Sequence, residues 1–200
     1  MNPFDKQVSW TALPSPILVI GAAHAGKSKF AQGLLLEDKE ATVVGTADSS
    51  EPAFHQRLTE LRSGRPKHWT HYEVSPADSH DLPRNLGKIL ATSSQVLVDS
   101  VNQWVAAMLV TDIGRYDMAQ METRLDTEFY TFLETIARPR PNRLVLVTSE
   151  TGAGTVPPAA VERLFRQSTG RINCQLAEAC ATVIFMSAGI PLIMKSTPRP

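Results

Sequence analysis

The sequence predicts an α/β fold, a three-layer sandwich with a mostly parallel central sheet, and three observations carry that expectation. Short β-branched apolar runs alternate with amphipathic stretches along nearly the whole chain, which is the pattern of strand–helix units. The 200 residues, 42% of them hydrophobic, suffice for one domain with a real core. The first apolar run, Ile17–Ile20, leads straight into Gly21-Ala22-Ala23-His24-Ala25-Gly26-Lys27-Ser28, and a helical pattern follows from Lys29. Strand, glycine-rich turn and helix start in that order give Gly-x-x-x-x-Gly-Lys-Ser its meaning as a phosphate-binding loop, so the expected fold is P-loop NTPase-like.

The elements follow in order. Residues 1–15 hold two prolines and few periodic apolar positions, and read as a flexible arm before a single nucleotide-binding domain over 16–195. Ala41–Gly45 is a second β-rich run, and Glu51–Arg62 places Phe54, Leu58 and Leu61 on one helical face. Gly64-Arg65-Pro66 stops that helix, Trp69–Val74 resembles a strand, and 76–81 reads as loop. Leu82–Thr92 looks helical and feeds Gln95–Asp99, a buried strand by its β-branched run. Helices are expected over Val101–Val110 and Asp117–Ala137, then a strand over Arg143–Thr148 and a turn-rich loop over Thr151–Pro158. Pro158–Ala179 reads as a helix interrupted at Gly170; Thr182–Met186 is a strand, Ile190–Met194 an edge strand, and 196–200 a tail.

Twenty basic and twenty acidic residues cancel, so no basic field points to nucleic acid or an anionic membrane. No apolar stretch is long enough to span a bilayer, and the first residues lack a signal-peptide pattern. Cys174 and Cys180, six apart in a predicted helix, suit neither a metal pair nor an easy disulfide; they read as reduced core residues of a cytoplasmic protein.

The motif carries specific chemistry. Gly21 and Gly26 let the backbone turn so that successive amides face a phosphate, aided by the helix dipole. Lys27 is expected on the β/γ-phosphates and Ser28 on Mg²⁺. A phosphate loop needs a metal partner at the end of a neighbouring strand, and Asp99 fits that role, directly or through water; the plainer alternative is a helix cap. Glu150 also follows a strand, where sites in open α/β sheets gather; a solvated loop glutamate fits its spacing equally well.

Further motifs resemble one family. Leu146-Val-Thr-Ser-Glu-Thr-Gly-Ala-Gly-Thr-Val-Pro157 is similar to V-T-N-E-V-G-x-G-I-V-P of the bifunctional adenosylcobinamide kinase / adenosylcobinamide-phosphate guanylyltransferases. Arg163-Leu-Phe-Arg166, Gly170-Arg-Ile-Asn173, Leu176-Ala177 and Ser187-Ala-Gly-Ile-Pro191 match in order, and Asp99-Ser-Val-Asn-Gln-Trp104 stands where the family has [DE]-C-[LI]-T-x-W. The resemblance implies a GTP-binding homotrimer that phosphorylates the aminopropanol hydroxyl of adenosylcobinamide with GTP or ATP and Mg²⁺. It then guanylylates an enzyme histidine and passes GMP to the phosphorylated product. It also implies guanine-nucleotide contacts at Gly45, Thr46, Ala47, Arg62, Ser63, Gly64, Arg65, Glu73 and Asp99.

One departure bears on the chemistry. The family's R-[IL]-x-x-H reads Arg57-Leu58-Thr59-Glu60-Leu61 here, so leucine occupies the nucleophile position. His55, six residues earlier, lies about 240° around a helix and faces elsewhere. His68, His71, His80 and His24 read as surface or packing residues. Ser149 replaces the family's Asn, Ala53 a usual glutamate, and Ser100–Asn102 departs from C-L-T. The expectation is a nucleotide-dependent kinase with a doubtful guanylyl-transfer step. The competing expectation is a catalytically silent GTP- or ATP-binding homologue with a regulatory or partner-binding role.

Overall fold

A computed structural model describes residues 9–47, 59–138 and 143–197. Among the described residues, seven strands form one sheet: β1 (Ile17–Gly21), β2 (Thr42–Gly45), β3 (Thr70–Glu73), β4 (Gln95–Asp99), β5 (Arg143–Ser149), β6 (Thr182–Ser187) and β7 (Ile190–Ser196). Their order is β3-β2-β4-β5-β1-β6-β7, with β7 antiparallel to β6 and every other pair parallel. The long helices are α1 (Lys27–Gly33), α2 (Leu82–Thr92), α3 (Val101–Asp112), α4 (Met118–Ala137) and α5 (Ala160–Ala179). The α/β sandwich with a mostly parallel sheet is therefore present.

Alternate residues of the central strands serve two cores, which is why those strands read as unbroken apolar runs. Leu18, Val44, Val96, Val98, Leu144 and Leu146 pack with residues of α2, α3, α4 and α5. Ile17, Val19, Val43, Leu97, Val145 and Val147 pack on the opposite face with Ala31, Leu34 and Trp69. The larger core centres on Trp104, whose ring stacks on Phe132 with centroids 5.0 Å apart.

Residues 10–14 lie against this framework. Arg143 donates from Nε to Leu34 O at 2.6 Å and from its terminal nitrogens to Trp10 O at 3.0 Å and Thr11 O at 2.8 Å. Trp10 and Leu13 pack against the second core, so the arm expected from sequence is tied down over this stretch.

Several boundaries differ from the sequence reading. Residues 76–81 form a 3₁₀ helix rather than loop, capped by Ser75 and held by Trp104 Nε1 donating to Ser79 O at 2.7 Å. Gly170 does not interrupt α5: it faces open space, and a solvent-facing helical glycine costs only about 1 kcal/mol. Cys174 is exposed, so only Cys180 behaves as a core residue. Ser196 belongs to β7, and Thr197 N still donates to Ala181 O at 2.9 Å. Of the helix expected over 51–62, residues 59–63 are helical and 51–58, with Ala53 and His55, lie outside the described residues. No helix of the described residues is long and apolar enough to cross a membrane.

Candidate nucleotide-binding site

Parallel register brings the chemistry to one rim. Gly21 pairs with Ser149, Gly45 pairs with both Glu73 and Asp99, and Asp99 pairs with Val147, so the carboxyl ends of β1, β2, β3, β4 and β5 gather at one rim, with β1 and β5 running two residues beyond β4. Sites in open α/β sheets form at this rim.

From β1 the chain turns through the glycine-rich loop into α1. A Cβ on Gly21 would lie 2.2 Å from Met186 O of β6, so only glycine allows the two strands to pair there. Gly26 caps α1 with φ +88°, a conformation that favours glycine. Lys27 and Ser28 begin α1 and are buried. Lys27 Nζ donates to Ala22 O at 2.7 Å, folding the ammonium back over the loop. Ser28 Oγ donates to Asp99 Oδ1 at 3.0 Å, which joins the loop to the end of β4.

The remaining expected residues divide between contact and support. Thr46 Oγ1 donates to Ser100 O at 2.6 Å and accepts from Ser100 N at 2.8 Å, so this hydroxyl holds the strand end that carries Asp99. Ala47 lines the cleft with Lys27 and Asp99. A Cβ on Gly45 would come within 2.5 Å of Glu73 Oε2, because the Glu73 carboxylate lies across Gly45. Arg62 Nη2 pairs with Glu73 Oε1 at 2.6 Å. Arg65 Nη1 meets His71 Nδ1 at 3.0 Å. Burial lowers the Arg65 pKa, opposed by the charges of Asp99 and Glu73. Burial also pushes the His71 pKa down, reinforced by Arg65 and Arg62. Ser63 Oγ turns back to Glu60 O at 2.9 Å, and Gly64 faces the larger cleft.

Two clefts meet at the phosphate loop. One of about 380 Å³ has Lys27, Ser28, Asp99 and Glu150 in its wall. The other, about 680 Å³, runs from Ser28 along α1 to Gly64 and Trp69. His24, Ser28 and Leu61 line both. His68, His71 and His80 line neither. Leu61 thus stands at the junction of the clefts and offers only carbon atoms to it.

Some residues of the site escaped the sequence reading. Asn102, Gln103, Thr151 and Phe165 line the smaller cleft. Arg163 donates to Pro157 O at 3.1 Å and Arg166 to Thr155 O and Gly152 O, so α5 staples the loop that follows Glu150. Asn173 accepts from Thr148 Oγ1 at 2.8 Å and donates to Ser149 O at 3.0 Å, fixing the end of β5. The spacing of Arg163, Arg166 and Asn173 along one helix is visible in sequence, but their targets are not.

Ser28 and Asp99 present two hard oxygens 3.0 Å apart beside a buried ammonium, a donor set that suits Mg²⁺. Fold and site together define a P-loop nucleotide-binding protein. Residues 17–194 match the model of the cobinamide kinase / cobinamide phosphate guanyltransferase family, and the chain belongs to that family. It is 31% identical to the bifunctional adenosylcobalamin biosynthesis protein CobP of Pseudomonas aeruginosa over 182 residues, covering 90% of this chain and 98% of the relative. It is 30% identical to the bifunctional adenosylcobalamin biosynthesis protein CobU of Escherichia coli, covering 90% and 99%. Among solved structures it resembles an ATPase of the bacterial type III secretion system, with a TM-score of 0.56, 10% identity, and coverage of 86% of this chain and 50% of the other. That likeness concerns the fold alone.

Proposed function

We propose that this chain is a Mg²⁺-dependent kinase that transfers the γ-phosphoryl group of GTP or ATP to the aminopropanol hydroxyl of adenosylcobinamide, and that residue 61 supports no guanylyl transfer. The observation that carries this reading is the contrast at the cleft junction. Lys27, Ser28 and Asp99 line one cleft and offer polar groups to it, whereas the Leu61 side chain has no atom able to bond to phosphorus.

Ser28 and Asp99 would hold Mg²⁺, directly or through water, and the ion would supply charge neutralisation at the phosphates. Lys27 leaves Ala22 O to pair with the β- and γ-phosphates, and loop amides from Ala22 to Ser28 hold their oxygens. Glu150, in the wall of the same cleft, takes the proton of the acceptor hydroxyl. Gly45, Ala47, Arg62, Arg65 and Glu73 face the guanine nucleotide by family position, with Thr46 supporting them from behind. The protein acts in the cytoplasm as a homo-oligomer, a trimer by resemblance to the family. Exposed Ile190, Leu192 and Met194 on the edge strand β7 support an oligomer.

The same Leu61 favours a second reading, a silent GTP- or ATP-binding homologue. One experiment separates the two. Incubation with γ-labelled nucleotide and adenosylcobinamide should move label to the corrinoid, and tight nucleotide binding without any transfer would sink the kinase.

A further inference from the structure

His24 occupies the middle of the phosphate loop with φ +58°, a conformation that side chains rarely adopt, and such backbone strain gathers at functional sites. Its side chain is exposed and, among the described residues, makes no hydrogen bond within the protein. It lines both clefts, whereas Lys27 lines only the smaller and Lys29 only the larger. The other two described residues shared by the clefts are already accounted for: Ser28 is bonded to Asp99, and Leu61 is apolar. Among the described residues, the imidazole is therefore the free polar side chain shared by the two clefts.

We propose that His24 is a catalytic residue of the phosphoryl transfer, donating an N–H to a non-bridging oxygen of the γ-phosphoryl group as it moves. This rests on the kinase reading. In the step, the acceptor oxygen forms a bond to Pγ while the bond from Pγ to the β-phosphate oxygen breaks. The electron pair leaves with the nucleoside diphosphate, and the hydroxyl proton passes to Glu150. His24 gains and loses no proton; its donor stabilises charge on the equatorial oxygens, which is greatest at the transition state. The effect should therefore fall on kcat rather than on nucleotide affinity.

The test compares the full chain with H24G, H24A, H24Q and H24R, measuring phosphoryl transfer to adenosylcobinamide and Kd for GTP·Mg²⁺. H24G is included because glycine adopts φ +58° without strain, so its loss cannot be blamed on the backbone. The expected result is a fall in kcat of about 30-fold in H24G and H24A, with Kd changed less than about threefold and most of the rate restored in H24Q or H24R. Unchanged kcat in H24G, an equal loss of kcat and affinity, or no rescue by either donor-bearing variant overturns the assignment. Wild-type protein that binds GTP but transfers nothing overturns the kinase reading and this proposal together, whereas wild-type turnover with an indifferent H24G overturns this proposal alone.

Discussion

Ser28 Oγ donates to Asp99 Oδ1 across 3.0 Å, although the two residues lie 71 positions apart in the chain. Pairing of β1 with β5 and of β5 with β4 brings their carboxyl ends to one rim, and this contact joins the loop to the acid. D99N keeps the shape but removes the charge that draws Mg²⁺. Phosphoryl transfer should fall about 100-fold and the Mg²⁺ requirement should move to higher concentration, read from a Mg²⁺ titration of initial rates.

Lys27 carries the largest single expected loss. K27A removes the only buried ammonium of the described loop, and transfer from ATP or GTP should become undetectable while the fold persists. Circular dichroism checks the second half of that statement, and a retained rate within tenfold of wild type would contradict the first.

Leu61 predicts an absence that can be measured directly. Incubation with α-labelled GTP should leave no acid-labile label on the denatured chain, because a covalent nucleotidyl intermediate needs a nucleophilic atom. Stable label on the protein would show that another residue has taken the role.

Gly21 and Gly45 are expected to behave differently when changed to alanine. At Gly21 the new Cβ meets a backbone oxygen of β6, which cannot move without breaking the sheet, so G21A should unfold at much lower denaturant. At Gly45 it meets the flexible end of Glu73. G45A should cost little stability but displace the Glu73–Arg62 pair and weaken GTP binding, as calorimetry would detect.

His71 gives a pH dependence with a definite sign. Its pKa is lowered in the folded chain by burial and by Arg65 and Arg62, so below the ordinary value of 6.5 the unfolded chain binds a proton that the folded one refuses. Stability contributed by the neutral ring is complete above 6.5 and is lost as pH falls towards the lowered value. H71Q should flatten the part of the Tm-against-pH curve that lies below about pH 6.5. An unchanged slope would remove His71 from the account.

Asp112 shows why much of the polar packing of the fold stayed hidden from a linear reading. This buried acid sits 3.0 Å from Arg124 Nε and 3.3 Å from His80 Nε2, yet nothing near position 112 in the sequence marks it as a partner of either. The 3₁₀ turn over 76–81 was likewise illegible, because its anchor is Trp104 on another element. Exposure of Cys174 depends on which face of α5 meets the core, a matter of a single helical step.

The sheet-forming runs, the phosphate loop and the family are legible in the linear chain, because those depend on local periodicity and on contiguous motifs. The linear chain also shows that residue 61 is a leucine, and so which half of the family's chemistry is in question. Only the tertiary structure decided that Asp99 meets Ser28, that Glu73 lies across Gly45, and that His24 and Leu61 share the junction of two clefts. Those relations join residues far apart in the chain, and they are set by strand register and helix packing, which no single stretch of sequence encodes.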